Sequence, residues 1–575
     1  MAQVSGWLLA AAIRYALYFV ELVGLLILAR LAFSRPRLGE RWFGRAERVF
    51  HNIARRRRLA VACTGLAALA ARAALVPVLP IRAPVVTDEF SYLLSADTFA
   101  SGRLSNPVHP MWVHFESMHI LQHPAYVSMY PVAQGMVLAA GKVVAGHEWA
   151  GVYASVCLMC ALMCWMLQGW LPAQWALLGG MLAVLRLGLF GYWINSYWGG
   201  AVPAIGGLLV LGALPRITRN PRVRDALLMA GGIVVLANSR PYEGFVLSLS
   251  VCVFLLAWIL KKRGPMLRMA LVRTALPALL VLALAGAGMG YYNGRVTGNP
   301  FRMPLQVDRD QYAAARYFLW ERPHPTPVYR NQQMRDFYAG WELTKCLEAK
   351  TPFGLARNTA GKAGAFWMFF LGPALTLPLV FLPWIVRDRR VRPLVIIGGV
   401  FLVGLGLNVY FYAHYAAPIT GLIYAIVLQG LRHLRVWRWR GRPSGLLLAR
   451  GVPVLCLGMA LLRVCAQPLS FYMPPDWPMT WYYTRPGNTE RARIEARLER
   501  EPGQQLAMVR YKPNHNFFEE WVYNKAGIDA AKVVWARELD DASNGALIRY
   551  FRGRRIWLVE ADTGPATVSP YPLQP

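Results

Sequence analysis

Long apolar runs separated by short arginine-rich loops constrain this chain more than any other feature. The run over 59–80 shows the pattern, since it follows directly on Arg55-Arg56-Arg57-Arg58. In hydrocarbon a backbone amide finds no water, so each run must pair its own polar groups and becomes a helix. A bilayer core of ~30 Å takes about 20 such residues per crossing. Runs at about 7–33, 59–80, 148–170, 172–190, 200–214, 225–240, 244–260, 274–292, 363–386, 393–412, 414–431 and 446–465 predict about twelve spans. A chain 56% hydrophobic and only 16% charged fits a polytopic α-helical membrane protein, not a soluble one.

The net charge of +32, from 62 Lys+Arg against 30 Asp+Glu, would point to nucleic acid in a soluble protein. Here the arginines concentrate in loops 35–58, 215–224, 261–273, 387–392 and 432–442. Positive loops stay cytoplasmic and touch anionic membrane lipids, so no nucleic-acid partner is expected. With those loops inside, an odd number of crossings must separate Asp88 from Arg216. The short run 132–146 carries Lys142, Gly135 and Gly141 and is therefore expected to be a juxtamembrane helix. Two long outer loops follow, 81–147 and 293–362. The tail alternates helix and strand signals, with helices at 489–501 and 542–552 and strands at 505–511, 532–537 and 555–560. This divides the chain into an N-terminal helix and basic loop (1–58), a transmembrane catalytic domain (59–465) and a small extracytoplasmic α/β domain (466–575).

Arg14 and Glu21 in the first run must face protein if it spans. The N-terminus has no basic region and cleavage site of the kind a removable signal peptide carries. Seven of eight cysteines lie in or at the end of apolar runs, so no disulfide framework is expected. Cys157, Cys160 and Cys164 share a helical face as small packing residues.

Chemistry gathers on the predicted outer side. Asp88-Glu89 follows the apolar run ending at Pro80 and belongs at the rim or in a wet cavity. The outer turns read Tyr192 to Gly200, Asn238 to Gly244 and Tyr412 to Tyr415. Tyr92, Trp193, Asn195, Tyr197, Trp198, Tyr242 and Glu243 are the expected sugar or acceptor contacts, while interfacial belt residues are the alternative for the aromatics. Arg240, beside Pro241, presents a planar guanidinium suited to a phosphate, unless Glu243 neutralises it. Arg302, in the basic second loop, and His414 complete the expected phosphate set. His109, His114, His119 and His123 with Glu116 lack helical metal-site spacing, and Pro110 and Pro124 interrupt any helix. No metal ligand is therefore assigned and no cofactor is firmly predicted, with room left for a divalent cation.

The acidic pair with Phe90, then Tyr92-Leu93-Leu94-Ser95-Ala96, and the stretch from Tyr130-Pro131 to Gly146 before Glu148-Trp149 resemble the GT-C glycosyltransferases. The nearer likeness is to the bacterial branch holding protein O-mannosyltransferases and lipid A aminoarabinose transferases. It covers roughly 59–465. It departs from the mannosyltransferase pattern at Ser91 and Tyr92, where that pattern has a histidine, and in the C-terminal segment. The resemblance implies a polyprenyl-phosphate sugar donor and a cell-envelope glycan, lipid or protein acceptor. It also implies an active site on the periplasmic face of a bacterial inner membrane. Asp88 would be the general base of an inverting transfer, with Glu89 orienting it. A lipid-carrier transporter or flippase is the alternative, and Arg72 and Arg186 inside predicted spans are its best support.

Overall fold

A computed structural model describes residues 15–466, 479–483 and 487–572. Arg14 and the start of the first run lie outside these. Each expected apolar run holds a helix. Among the described residues seven helices are long and apolar enough to cross a membrane: Ala16–Ser34, Arg57–Leu75, Trp149–Trp170, Ala201–Arg219, Pro241–Leu260, Gly264–Thr297 and Ser444–Ala466. The chain is a multi-pass membrane protein. Pro352–Phe370 and Gly372–Arg387 form an eighth candidate, bent by 99°. Gly372 stands at the break with φ +60° and is followed by Pro373, so the backbone turns where a Cβ and a further amide donor are both missing.

The twelve separate crossings of the hydropathy reading are not all matched by full-length helices. Ala173–Leu187 and Arg392–Leu407 have 15 and 16 residues, and Val132–Ala145 has 14. Hydropathy counts apolar residues, whereas prolines at 131, 172 and 393 set where these helices begin. The last of the three is the expected juxtamembrane helix.

Trp149–Trp170 and Ala201–Arg219 form the interior of the bundle, with 61% and 78% of their apolar windows buried, against 11% for Gly264–Thr297. Small residues let the backbones close up. A Cβ on Gly151 would lie 2.1 Å from the carbonyl oxygen of Val137, and one on Gly207 would lie 1.8 Å from that of Pro418. The buried charges have structural partners. Arg186 pairs with Glu21, as expected for a charge facing protein, and its guanidinium covers Trp481 at 4.6 Å. Arg72 donates to Asn195 Oδ1 at 2.9 Å and lies over Trp149 at 5.0 Å.

After the last long helix the chain forms a four-stranded sheet from β3 (Gln505–Arg510), β4 (Val533–Arg537), β5 (Arg555–Glu560) and β6 (Thr567–Pro570), in the order β4-β3-β5-β6. The first three are parallel and β6 is an antiparallel edge. Strand alternation splits β3 between two layers. Ala507 and Val509 pack with Ile494 and Leu498 of the helix Thr489–Arg500. Leu506 and Met508 pack with Leu547 of the helix Asp541–Tyr550, and with Leu94, Phe115 and Ile120 of the first outer loop. In that loop β1 (Ile120–Leu121) and β2 (Val127–Ser128) make a short hairpin. Phe90 stacks on Tyr523 at 4.7 Å, and the amide of Ala526 donates to Asp97 Oδ2 at 2.7 Å. The sheet thus sits directly on the helix that carries Asp88.

Candidate functional site

Asp88 occupies the first turn of the helix Thr87–Ala100, where the helix dipole favours a carboxylate. Its side chain is 18% exposed. Tyr130 Oη donates to its Oδ1, and His119 Nδ1 stands 3.7 Å from its Oδ2. Tyr92 and Tyr130 stack at 4.4 Å and 16° beside it. The stack is local in origin: Tyr92 lies one turn after Asp88, and Tyr130 ends the strand-turn segment before Pro131.

Glu89 points the other way and is fully buried. Its Oε2 accepts the amides of Val85 and Val86 at 2.9 and 3.3 Å, and its Oε1 accepts that of Tyr197 at 3.2 Å. Arg82 lies 3.9 Å away. Glu89 therefore clamps the helix start to the 192–200 turn.

Arg240 caps the helix Pro241–Leu260, and its guanidinium lies over Tyr415 at 4.3 Å. Tyr415, Tyr92, Glu243 and Tyr130 surround its charge. Tyr92 feels both site charges. Burial raises its hydroxyl pKa above the ordinary phenol value, Arg240 pulls it down and Asp88 pushes it up. The acid and the arginine thus share Tyr92 and Tyr415 as neighbours.

His414 is buried, and burial first and Arg240 second hold its pKa well below the usual imidazole range. The Tyr192 hydroxyl accepts the His414 amide at 2.9 Å and meets its Nδ1 at 2.7 Å. Trp198 packs against Tyr412 at 4.7 Å and His414 at 5.3 Å, which brings it to the site.

Other expected contacts have structural work. Trp193 is buried against Phe369 at 4.9 Å and Phe370 at 5.9 Å, so it is no open sugar platform. Asn195 holds Arg72 and donates to the carbonyls of Leu189 and Phe190 at 3.2 and 2.9 Å. Tyr197 is buried and acts through its backbone. The Tyr242 hydroxyl donates to the Gly404 carbonyl at 2.8 Å, and Glu243 is buried beside Arg240. Arg302 pairs with Asp310 at 2.8 Å on the exposed start of the second loop. Sequence alone cannot separate these roles, because each residue type serves packing and binding equally well.

His119 stands beside Asp88, which the spacing of the first-loop histidines does not reveal. Its φ of +65° is a conformation that side chains other than glycine rarely adopt. Its Nδ1 is 3.0 Å from Thr87 Oγ1, and its carbonyl accepts Ser91 Oγ at 2.7 Å. Asp308, from the helix Pro304–Tyr312 of the second loop, is fully buried; burial raises its carboxyl pKa and the nearby His119 lowers it. His119 thus stands beside Asp88 in space although it lies 31 positions after it in the chain. Among the described residues, no three His, Cys, Asp or Glu side chains converge as a metal site. Asp88 and His119 supply two such groups.

No family model matches the chain, and no curated protein matches it. Solved structures do. The Archaeoglobus fulgidus oligosaccharyltransferase, crystallised with Zn and sulfate, aligns with a TM-score of 0.50 at 11% identity, over 87% of this chain and 67% of that one. The fold is that of the GT-C glycosyltransferases. ArnT from Cupriavidus metallidurans bound to undecaprenyl phosphate aligns at 0.45 and 14% identity, over 87% of this chain and 92% of that one. The Archaeoglobus fulgidus AglB complex with an inhibitory peptide and a dolichol-phosphate gives 0.45 and 10%, over 87% and 69%.

Proposed function

We propose that this GT-C-like chain moves a sugar from a polyprenyl-phosphate donor to an acceptor hydroxyl on the extracytoplasmic face, with inversion. The observation that carries the reading is the pairing, across the shared Tyr92 and Tyr415, of a part-exposed carboxylate, Asp88, with a guanidinium at a helix start, Arg240. A bound phosphate would receive the Arg240 fork and the positive end of the Pro241–Leu260 helix dipole.

Asp88 takes the proton of the acceptor hydroxyl as its oxygen attacks the anomeric carbon. The bond from that carbon to the phosphate oxygen breaks, and its electron pair leaves with the phosphate, where Arg240 stabilises the charge. The products are the glycosylated acceptor and the polyprenyl phosphate. Tyr130 and His119 position the carboxylate, and Trp198 and Tyr92 offer faces for the sugar. We read 59–465 as the catalytic unit and 466–575 as a periplasmic cover over it, in a bacterial inner membrane.

The test is carrier release in detergent from a panel of polyprenyl-phosphate sugars. Asp88→Asn should lower it by about two to four orders of magnitude, the usual worth of a general base. Equal release by both proteins would remove Asp88 as base. No release by wild type on any donor, with carrier movement in vesicles, would favour a lipid-carrier transporter.

A further inference from the structure

A second cavity, of about 230 Å³, opens between the two outer loops. Trp112, Glu116 and His123 line it from the first loop, and Tyr312, Tyr329 and Arg330 from the second. None of these belongs to the transfer site described above. Two walls are aromatic. Trp112 meets the edge of His123 at 4.7 Å, and Tyr329 stacks with Tyr338 at 6.2 Å. The Tyr329 hydroxyl donates to the carbonyl of Tyr312 at 2.8 Å, which fixes the second wall.

The polar groups are few and opposed in sign. Glu116 is 3% exposed, and burial raises its carboxyl pKa above the ordinary range, while Arg330 pulls it down from 3.9 Å. Arg330 itself lies over Trp112 at 4.7 Å and remains 57% exposed. This mixture decides the ligand class. A cation would meet Arg330, and an anion would meet Glu116. A neutral polyhydroxylated ring satisfies both, giving hydroxyl protons to the carboxylate and accepting from the guanidinium. Its apolar C–H face covers an aromatic wall. The volume lies below the roughly 300 Å³ at which drug-sized pockets begin, so one ring fits and a chain must extend outward.

We propose that this cavity is a subsite for one neutral sugar ring of a glycan. It is joined to the transfer site through the second loop: Tyr338, stacked on Tyr312 at 6.0 Å, donates to Asp308 at 3.5 Å, and Asp308 faces His119. That the ring belongs to the acceptor rests on the transferase reading. That the cavity binds a sugar does not.

The experiment is saturation-transfer NMR on the full-length protein in detergent, with methyl pyranosides of neutral hexoses and pentoses as probes. Wild type should bind at least one of them in the millimolar range. Trp112→Ala and Glu116→Gln should each weaken that binding about tenfold, while Asp88→Asn leaves it unchanged. His123→Ala, on the exposed rim, serves if Trp112→Ala fails to fold, and should weaken binding severalfold. Absence of binding by every pyranoside overturns the subsite, as does equal binding by the wild type, Glu116→Gln and whichever ring variant folds. Tighter binding of tetramethylammonium or inorganic phosphate than of any pyranoside overturns the neutral-sugar assignment. If wild type releases no carrier yet binds pyranosides in this pattern, the subsite stands and the transferase reading falls.

Discussion

At the scale of single residues, Arg240 and His119 separate geometry from charge. Arg240→Lys keeps a cation but loses the planar fork and the stack on Tyr415, so it should retain part of the carrier release, and Arg240→Ala less. Unchanged release in Arg240→Ala would exclude it from the phosphate site. For His119, a left-handed backbone beside the proposed base is held by Ser91 and Thr87, not by intrinsic preference. His119→Gln should lower kcat about tenfold or more with little change in KM, because it positions Asp88 and does not bind donor. A rise in KM alone would contradict that.

Asp308 gives the residue scale a pH signature. Burial pushes its carboxyl up to about 6 from the ordinary 3.8, with His119 and Arg309 pulling the other way. The folded protein therefore holds this proton more tightly than the unfolded chain does. The burial penalty is absent below about pH 4, grows as pH rises and is complete above about 6. Asp308→Asn should raise the thermal midpoint at pH 8 and leave it unchanged at pH 4. The same shift at both values would sink the assignment.

At the scale of elements, backbone approach decides more than side-chain chemistry. The juxtamembrane helix Val132–Ala145 reaches the interior helix Trp149–Trp170 at Gly141 and Gly151, each of whose missing Cβ atoms would strike backbone. Gly151→Ala should cost about 1–3 kcal/mol and lower the thermal midpoint in detergent. Gly286→Ala, with nothing within 4 Å of the added carbon, should be neutral or slightly stabilising. Equal effects would deny the close packing. The Glu89 clamp belongs to this scale too. It ties one helix start to the 192–200 turn, so two stretches far apart in the chain meet with fixed orientation.

At the scale of the whole molecule, arginine distribution and layer packing make separate claims. Reporter fusions at Pro215, Lys262, Arg389 and Arg438 should lie in the cytoplasm, and fusions at Ala100, Arg330 and Asn514 outside. A cytoplasmic Ala100 would move the candidate site to the wrong face for a lipid-linked donor. The α/β layer packs on the Asp88 helix through Phe90–Tyr523 and Asp97–Ala526, so it is docked on that helix rather than hanging from a tether.

The positions of the apolar helices and of three strands of the tail were legible in order along the chain. Each depends on near neighbours: hydrophobic runs, proline starts and strand alternation. The acidic pair and Arg240 stand out in the sequence as candidates because a charge beside an apolar run has few inexpensive places to go. Sequence could not tell that Glu89 turns inward while Asp88 stays part-exposed, since adjacent helical residues differ by about 100° and the direction of the core is a tertiary fact. Nor could it choose Trp198 over Trp193, or bring His119 beside Asp88. Those outcomes rest on contacts between segments tens to hundreds of residues apart, and only the packed bundle sets which faces meet.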